Sequence, residues 1–130
     1  MVRKSVCVLI LLVLQACSPS SLEDFHYEGG SVCNELTQEL KGIENYEQLI
    51  KEAPKIKAYF DKLVTLIIQA RKYQKEHEEV GNLIEAKSLA GASLLCELKR
   101  IYEIERGRDV IEKAQQEALI KLSYESSVWK

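Results

Sequence analysis

The chain has 130 residues, two prolines, one tryptophan and a formal net charge of −2, a length that supports one domain with a modest core and is too short for two. Of its 18 basic and 20 acidic side chains, all but Arg3 and Lys4 are interleaved from Glu23 onward, which argues against the clustered basic surface that nucleic acid requires and offers no polybasic patch for anionic lipid. Only two histidines are present, so a metal centre built on several imidazoles is excluded as well.

The first element is an address. Arg3 and Lys4 precede an unbroken apolar run from Val6 to Leu14. In helical form such a run covers only about half of a ~30 Å hydrocarbon core, too short for a permanent span and suited to the middle of a secretory signal. The run ends in Leu14-Gln15-Ala16-Cys17, and this quartet resembles the lipobox of bacterial lipoproteins. The resemblance implies that residues 1–16 are removed as a signal peptide. It also implies that the thiol of Cys17 is diacylglycerated and that the new amino terminus is acylated, palmitate being the expected fatty acid. The mature chain is then lipid-anchored in the cell envelope. In lipoproteins of double-membrane bacteria an aspartate after the cysteine marks retention in the inner membrane. Ser18 stands here instead, which implies the outer membrane, on its periplasmic or its surface face. Loss of Arg3 and Lys4 with the signal takes the net charge from −2 to −4.

Residues 17–31 read as the lipidated cysteine followed by a flexible tether, with Ser-Pro-Ser-Ser at its start and Gly29-Gly30 at its end. Ser20 with Glu23 could cap one turn, and Phe25 and Tyr27 could dock on the body. From Val32 the pattern is helical, with one further proline, Pro54. The fold class expected is all-α, a small helical bundle built on a long antiparallel helical hairpin, over residues 32–130. Three capping boxes mark helix starts: Asn45 with Gln48, Asn82 with Glu85, and Asp109 with Glu112. In each an oxygen-bearing side chain accepts from an amide that the first turn leaves unpaired. Gly81 and Gly107 precede the last two and suit the left-handed residue that closes a helix.

In chain order, a short helix from Val32 to Lys41 presents Leu36 and Leu40, and a turn or two from Tyr46 to Ala53 adds Leu49 and Ile50. The long helix from Pro54 to Val80 places Ile56, Phe60, Leu63, Ile67 and Ala70 on a heptad seam of coiled-coil type, with Pro54 in its first turn. Tyr59, Val64, Leu66, Ile68 and Tyr73 widen the seam, so two neighbours are expected. Leu83 to about Glu105 carries Leu94, Leu98 and Ile101 on one face and is expected to fold back on the long helix as its hairpin partner. The final stretch from Val110 to Tyr124 offers Ile111, Ala114, Ala118 and Leu122, with Glu117 and Lys121 paired on the wet side. Whether Gly107 breaks the last two helices apart is open, since one glycine costs only about 1 kcal/mol in a helix.

Chemistry is sparse. Once Cys7 leaves with the signal and Cys17 is lipidated, Cys33 and Cys96 are the remaining thiols. They are either a possible disulfide closing a loop of about 60 residues, worth roughly 4 kcal/mol, or two separately packed sulfurs. A cysteine nucleophile would have to recruit His77, for which packing is the simpler reading. His77 lacks the second histidine of a zinc-protease helix, there is no glycine-rich phosphate loop, and Glu78-Glu79 or Glu103 and Glu105 read as solvated faces. No catalytic residue, metal ligand or cofactor is assigned. Tyr46, Tyr59, Tyr73 and Tyr102 read as core and boundary residues with some interface character. The terminal Lys130 is similar to the lysine through which the murein lipoprotein joins peptidoglycan, but that family's alanine-rich heptads are missing, and wall attachment is not expected.

These readings converge on a non-enzymatic, membrane-anchored lipoprotein whose helical body binds another envelope protein or self-associates. The alternative is a surface-exposed lipoprotein acting on host or competitor molecules. A small thiol-dependent enzyme comes third.

Overall fold

The computed structural model describes residues 21–77 and 89–128. Among them the chain forms four helices and no strand: α1 Leu22–Lys41, α2 Tyr46–His77, α3 Leu89–Tyr102 and α4 Gly107–Val128. The protein is an all-α bundle, and no helix among the described residues is long and apolar enough to cross a membrane.

Helix α1 begins ten residues before the expected body. Ser21, with extended backbone, is its N-cap and accepts from the Asp24 amide at 3.2 Å, while Glu23 and Asp24 place negative charge in the first turn. Residues 22–31 are thus helix, and the tether boundary at residue 31 is corrected to the N-cap. The apolar stripe continues upstream of Val32, because Phe25 is buried with Val32, Leu66 and Ala70 in a small cluster shared with α2. Gly29 and Gly30 lie inside the helix, and nothing stands within 4 Å of where their Cβ atoms would be. Packing of Phe25 and the Ser21 cap offset the roughly 1 kcal/mol that each helical glycine costs.

The two pieces expected over 46–53 and 54–80 are one helix with Pro54 inside it. Asn45 is the cap, accepting from the Gln48 amide at 2.9 Å, and the Gln48 side chain accepts from the Glu44 amide at 2.8 Å. This is the anticipated box, with the reciprocal bond one residue earlier. Pro54 is exposed and so is Ile50, whose carbonyl receives no bond from residue 54 because proline has no N–H. The fully buried Leu49 and Ile56 on either side hold the helix through the interruption.

Helices α3 and α4 are separate. Bonds from Glu103 N to Arg100 O and from Ile104 N to Ile101 O tighten the end of α3, and Arg106 takes the left-handed conformation at φ 62°. Gly107, anticipated at that position, instead opens α4. Its need for glycine is steric, since a Cβ there would collide with the Ile101 carbonyl. Asp109 accordingly falls in the first turn of α4 and is not its cap. The Asn82 and Glu85 box lies outside the described residues.

Neighbour pairs in the bundle are α1 with α2, α1 with α3, α2 with α4, and α3 with α4. The four-residue turns 42–45 and 103–106 force α1–α2 and α3–α4 to be antiparallel neighbours, and α1–α2 is the long hairpin. Glu39 meets Lys55, and Phe25 meets Tyr73, in that antiparallel sense. Along α2 and α4 the cross-links climb together, Lys57 to Glu117 at 2.8 Å, Thr65 to Lys121 at 3.1 Å and Arg71 to Ser126 at 2.8 Å, so these two run parallel. The expected direct pairing of the 54–80 and 83–105 segments is not formed, because α2 and α3 occupy opposite corners. Only a short link compels consecutive helices to touch, and 78–88 is not short.

The main core fills the centre, with Leu36 and Leu40 from α1, Leu49, Ile56, Phe60, Val64 and Ile68 from α2, Leu94, Leu98 and Ile101 from α3, and Ile111, Ala114 and Ala118 from α4. Leu63 and Ile67, assigned to the seam, are only half-buried, while Leu66 turns to the second cluster. Helix α2 therefore serves two neighbours, as the width of its stripe required.

Candidate functional site

Cys17, the lipidation residue expected from the sequence, lies outside the described residues, as do Ser18, Ser20, Glu78, Glu79 and Lys130. What the structure supplies is the body that such an anchor would hold.

Cys33 and Cys96 sit on the neighbouring helices α1 and α3 but are free thiols, so the possible bridge is not made. The reason is rotational. Cys33 is half-buried against the main core, while Cys96 projects outward on the opposite side of α3 from Leu94 and Leu98. Burial pushes the Cys33 thiol above its ordinary range, the reverse of what activates a nucleophile. His77 is committed elsewhere: its ring stacks on Tyr73 at 4.0 Å, and Nδ1 lies 2.9 Å from the Tyr73 carbonyl. Tyr73 in turn packs on Phe25 at 5.8 Å. Sequence, thiol and imidazole are thus not brought together. Among the described residues no three His, Cys, Asp or Glu side chains gather as metal ligands.

Arg100 was not singled out from the sequence, yet it joins three elements. It donates to the carbonyls of Leu40 at 2.6 Å and Ile43 at 2.8 Å, and its Nε donates to Glu97 at 2.8 Å. The guanidinium thereby satisfies carbonyls at the open end of α1 and sets positive charge where the helix dipole is negative. No local pattern reports such a partner almost sixty residues away.

A second polar cluster ties α1 to α2. The hydrogen bond with Glu52, then that from Lys55, holds the Glu39 carboxyl below its ordinary range, and the bond to Glu39 raises Glu52 above it. Lys55 stands 3.0 Å from Glu39 and is itself raised by that contact. Two carboxyls here stand close together beside an ammonium group, a structural arrangement at an exposed seam.

Two concave regions border the described helices. The cleft between α2 and α4, bordered by Ile68, Arg71, Glu125 and Ser126, measures about 170 Å³, below the ~300 Å³ at which small-molecule sites begin. The other concave region is an open strip along α4, from Asp109 through Glu112, Lys113 and Gln116 to Leu119, Ile120 and Ser123. Leu119 and Ile120 are 54 % and 60 % exposed. They lie on the face turned away from Ala114 and Ala118, where a helix serving one core needs no large aliphatic residue.

The tyrosines divide by position. Tyr46 is half-buried beneath Arg106, with the guanidinium 5.7 Å from the ring, and Tyr102 beneath Arg108 at 5.2 Å. Tyr59 and Tyr73 support the second cluster. Tyr27, expected to dock on the body, instead stands 82 % exposed, and Tyr124 is 67 % exposed.

Compared with protein-family models, with curated proteins and with solved structures, the chain has no significant match in any of the three.

Proposed function

We propose that this protein is a lipid-anchored lipoprotein of the cell envelope, held at the outer membrane through Cys17, with a non-enzymatic helical body that binds another envelope protein or a second copy of itself. The observation that carries the reading is the sequence Leu14-Gln15-Ala16-Cys17 behind a basic and apolar leader. The outward Leu119 and Ile120 of α4 support it, because they set an aliphatic pair in an otherwise polar strip on a bundle whose core is already filled. Anchoring fixes the body at a surface, where local concentration substitutes for affinity. A helix laid along the strip would bury these side chains as an i, i+3, i+4 seam does.

Mass spectrometry of the membrane-extracted protein tests the anchor. The expected product begins at Cys17 and carries the added mass of its acyl chains, and an intact leader or an unmodified sulfur would end the reading. Crosslinking in intact cells, with a photoreactive residue at Leu119, tests the body. An adduct that disappears when Ile120→Asp is introduced supports partner binding through α4, and light scattering of the lipid-free domain separates a self-pair from a different partner.

A further inference from the structure

The described start of α1 determines which end of the bundle an acyl chain on Cys17 would hold to a bilayer. Three residues, and so four Cα-to-Cα steps, separate Cys17 from the N-cap Ser21, and fully extended these steps reach at most about 14 Å. Helix α2 alone has 32 residues, about 48 Å of length at 1.5 Å per residue, so the tether is short against the body it holds.

The end nearest Cys17 is assembled from the start of α1, the end of α2 and the end of α4. Phe25 against Tyr73 and Arg71 against Ser126 place these three at one level. Both of the strongly exposed tyrosines among the described residues lie there. Tyr27 is five residues, ~8 Å, from the start of α1, and Tyr124 four residues, ~6 Å, from the end of α4. At the far end the tyrosines are covered, Tyr46 by Arg106 and Tyr102 by Arg108. Tyrosine at a membrane–water boundary places its ring at headgroup level with its hydroxyl hydrated. Charge does not draw this end to an anionic surface, since Glu23, Asp24, Glu28, Glu76 and Glu125 outnumber Arg71, Lys72 and Lys75 among its described residues.

We infer that this end of the bundle is a membrane-contacting surface, on which Tyr27 and Tyr124 rest in the headgroup layer of the bilayer holding Cys17 and stand the far turns 42–45 and 103–106 away from it. The inference rests on the lipid-anchor reading above. It adds a bilayer contact made by the folded body itself, carried by aromatic side chains and insensitive to salt.

The test uses the full acylated chain with Cys33→Ala and Cys96→Ser, in phosphatidylcholine vesicles containing a headgroup-nitroxide lipid. A fluorophore is placed at His26→Cys or at Glu105→Cys, both exposed positions. Quenching at 26 and none at 105 is the expected result. It should persist from about 0.1 M to about 1 M salt, where screening shortens from ~10 Å to ~3 Å. Tyr27→Ser with Tyr124→Ser should lower quenching at 26 toward the level at 105, with helicity by circular dichroism and the acyl mass unchanged. Equal quenching at both positions describes a bundle lying flat and overturns the inference, as does loss of quenching in high salt or indifference to the tyrosine substitutions. An acylated chain unquenched at 26 overturns the contact alone and leaves the anchor standing. A chain without acyl mass overturns both.

Discussion

Three glycines show how little residue type alone says about conformation. Gly29 and Gly30 look like a hinge on paper and are helical, with open space around the missing Cβ atoms. Gly29→Ala and Gly30→Ala should therefore each stabilise the bundle by about 0.5–1 kcal/mol in urea denaturation, a gain available only if α1 runs through them. Gly107→Ala should do the opposite, by about 2 kcal/mol or more, because its methyl group would meet the Ile101 carbonyl. Arg100→Ala removes the partner of the Ile43 carbonyl and one of several on the Leu40 carbonyl, which keeps its backbone amides, and should cost about 1–2 kcal/mol, a figure kept low because the side chain is 40 % exposed. Arg100→Lys should recover only part of this, since one ammonium group replaces a fork that spans two carbonyls. The thiols follow from their faces. In the native body a maleimide should modify Cys96 quickly and Cys33 slowly, and denaturant without reductant should expose both.

Among the elements, the seam between α1 and α2 carries a pH signature. Glu39 is held below its ordinary range, so its share of stability is complete above that range and is lost as pH falls through its lowered value. Glu52 is raised by its bond to Glu39, so what its protonated form contributes is present below its ordinary range and disappears as pH climbs through its raised value. Carboxyl NMR titration should accordingly show Glu52 titrating above Glu39, and Glu52→Gln should remove the upper of the two steps. Both groups are solvent-accessible, so the global change in stability should be small. Element borders were less legible than element identity. Pro54 and the Gly29-Gly30 pair are local break signals, and both were overridden by burial on the same helix, of Leu49 and Ile56 in one case and of Phe25 and Val32 in the other. Likewise Glu117 and Lys121, spaced as an i, i+4 pair, each reach α2 instead, to Lys57 and Thr65.

For the molecule as a whole, the distinguishing feature is the corner order, in which α2 and α4 are parallel neighbours and α2 and α3 stand diagonally across the shared core. Arg71→Cys with Ser126→Cys, in a background lacking Cys33 and Cys96, should be joined efficiently by a short bis-maleimide, whereas Arg71→Cys with Arg108→Cys should not. An antiparallel α2–α4 pair would reverse that pattern on a gel. Of the proposed site only Cys17 had a sequence signal, because the lipobox it resembles is a linear motif, while the exposed Leu119, Ile120, Tyr27 and Tyr124 were indistinguishable from core residues until their neighbours were in place.

What the order of residues settled on its own was the helical class, the core faces of α3 and α4 and the Asn45 cap, all of which depend on contacts spanning a few residues; the proposed export-and-acylation address likewise rests on the sequence alone. Periodicity names the face of a helix that avoids water, but it is silent about which other helix covers that face. The partner of each helix, the separation of Cys33 from Cys96, the closure of α1 by Arg100 and the gathering of exposed tyrosines at one end came from the packed bundle. They are agreements between side chains roughly fifty to a hundred residues apart, reached by burying the largest apolar area that the short turns and the one longer link allow.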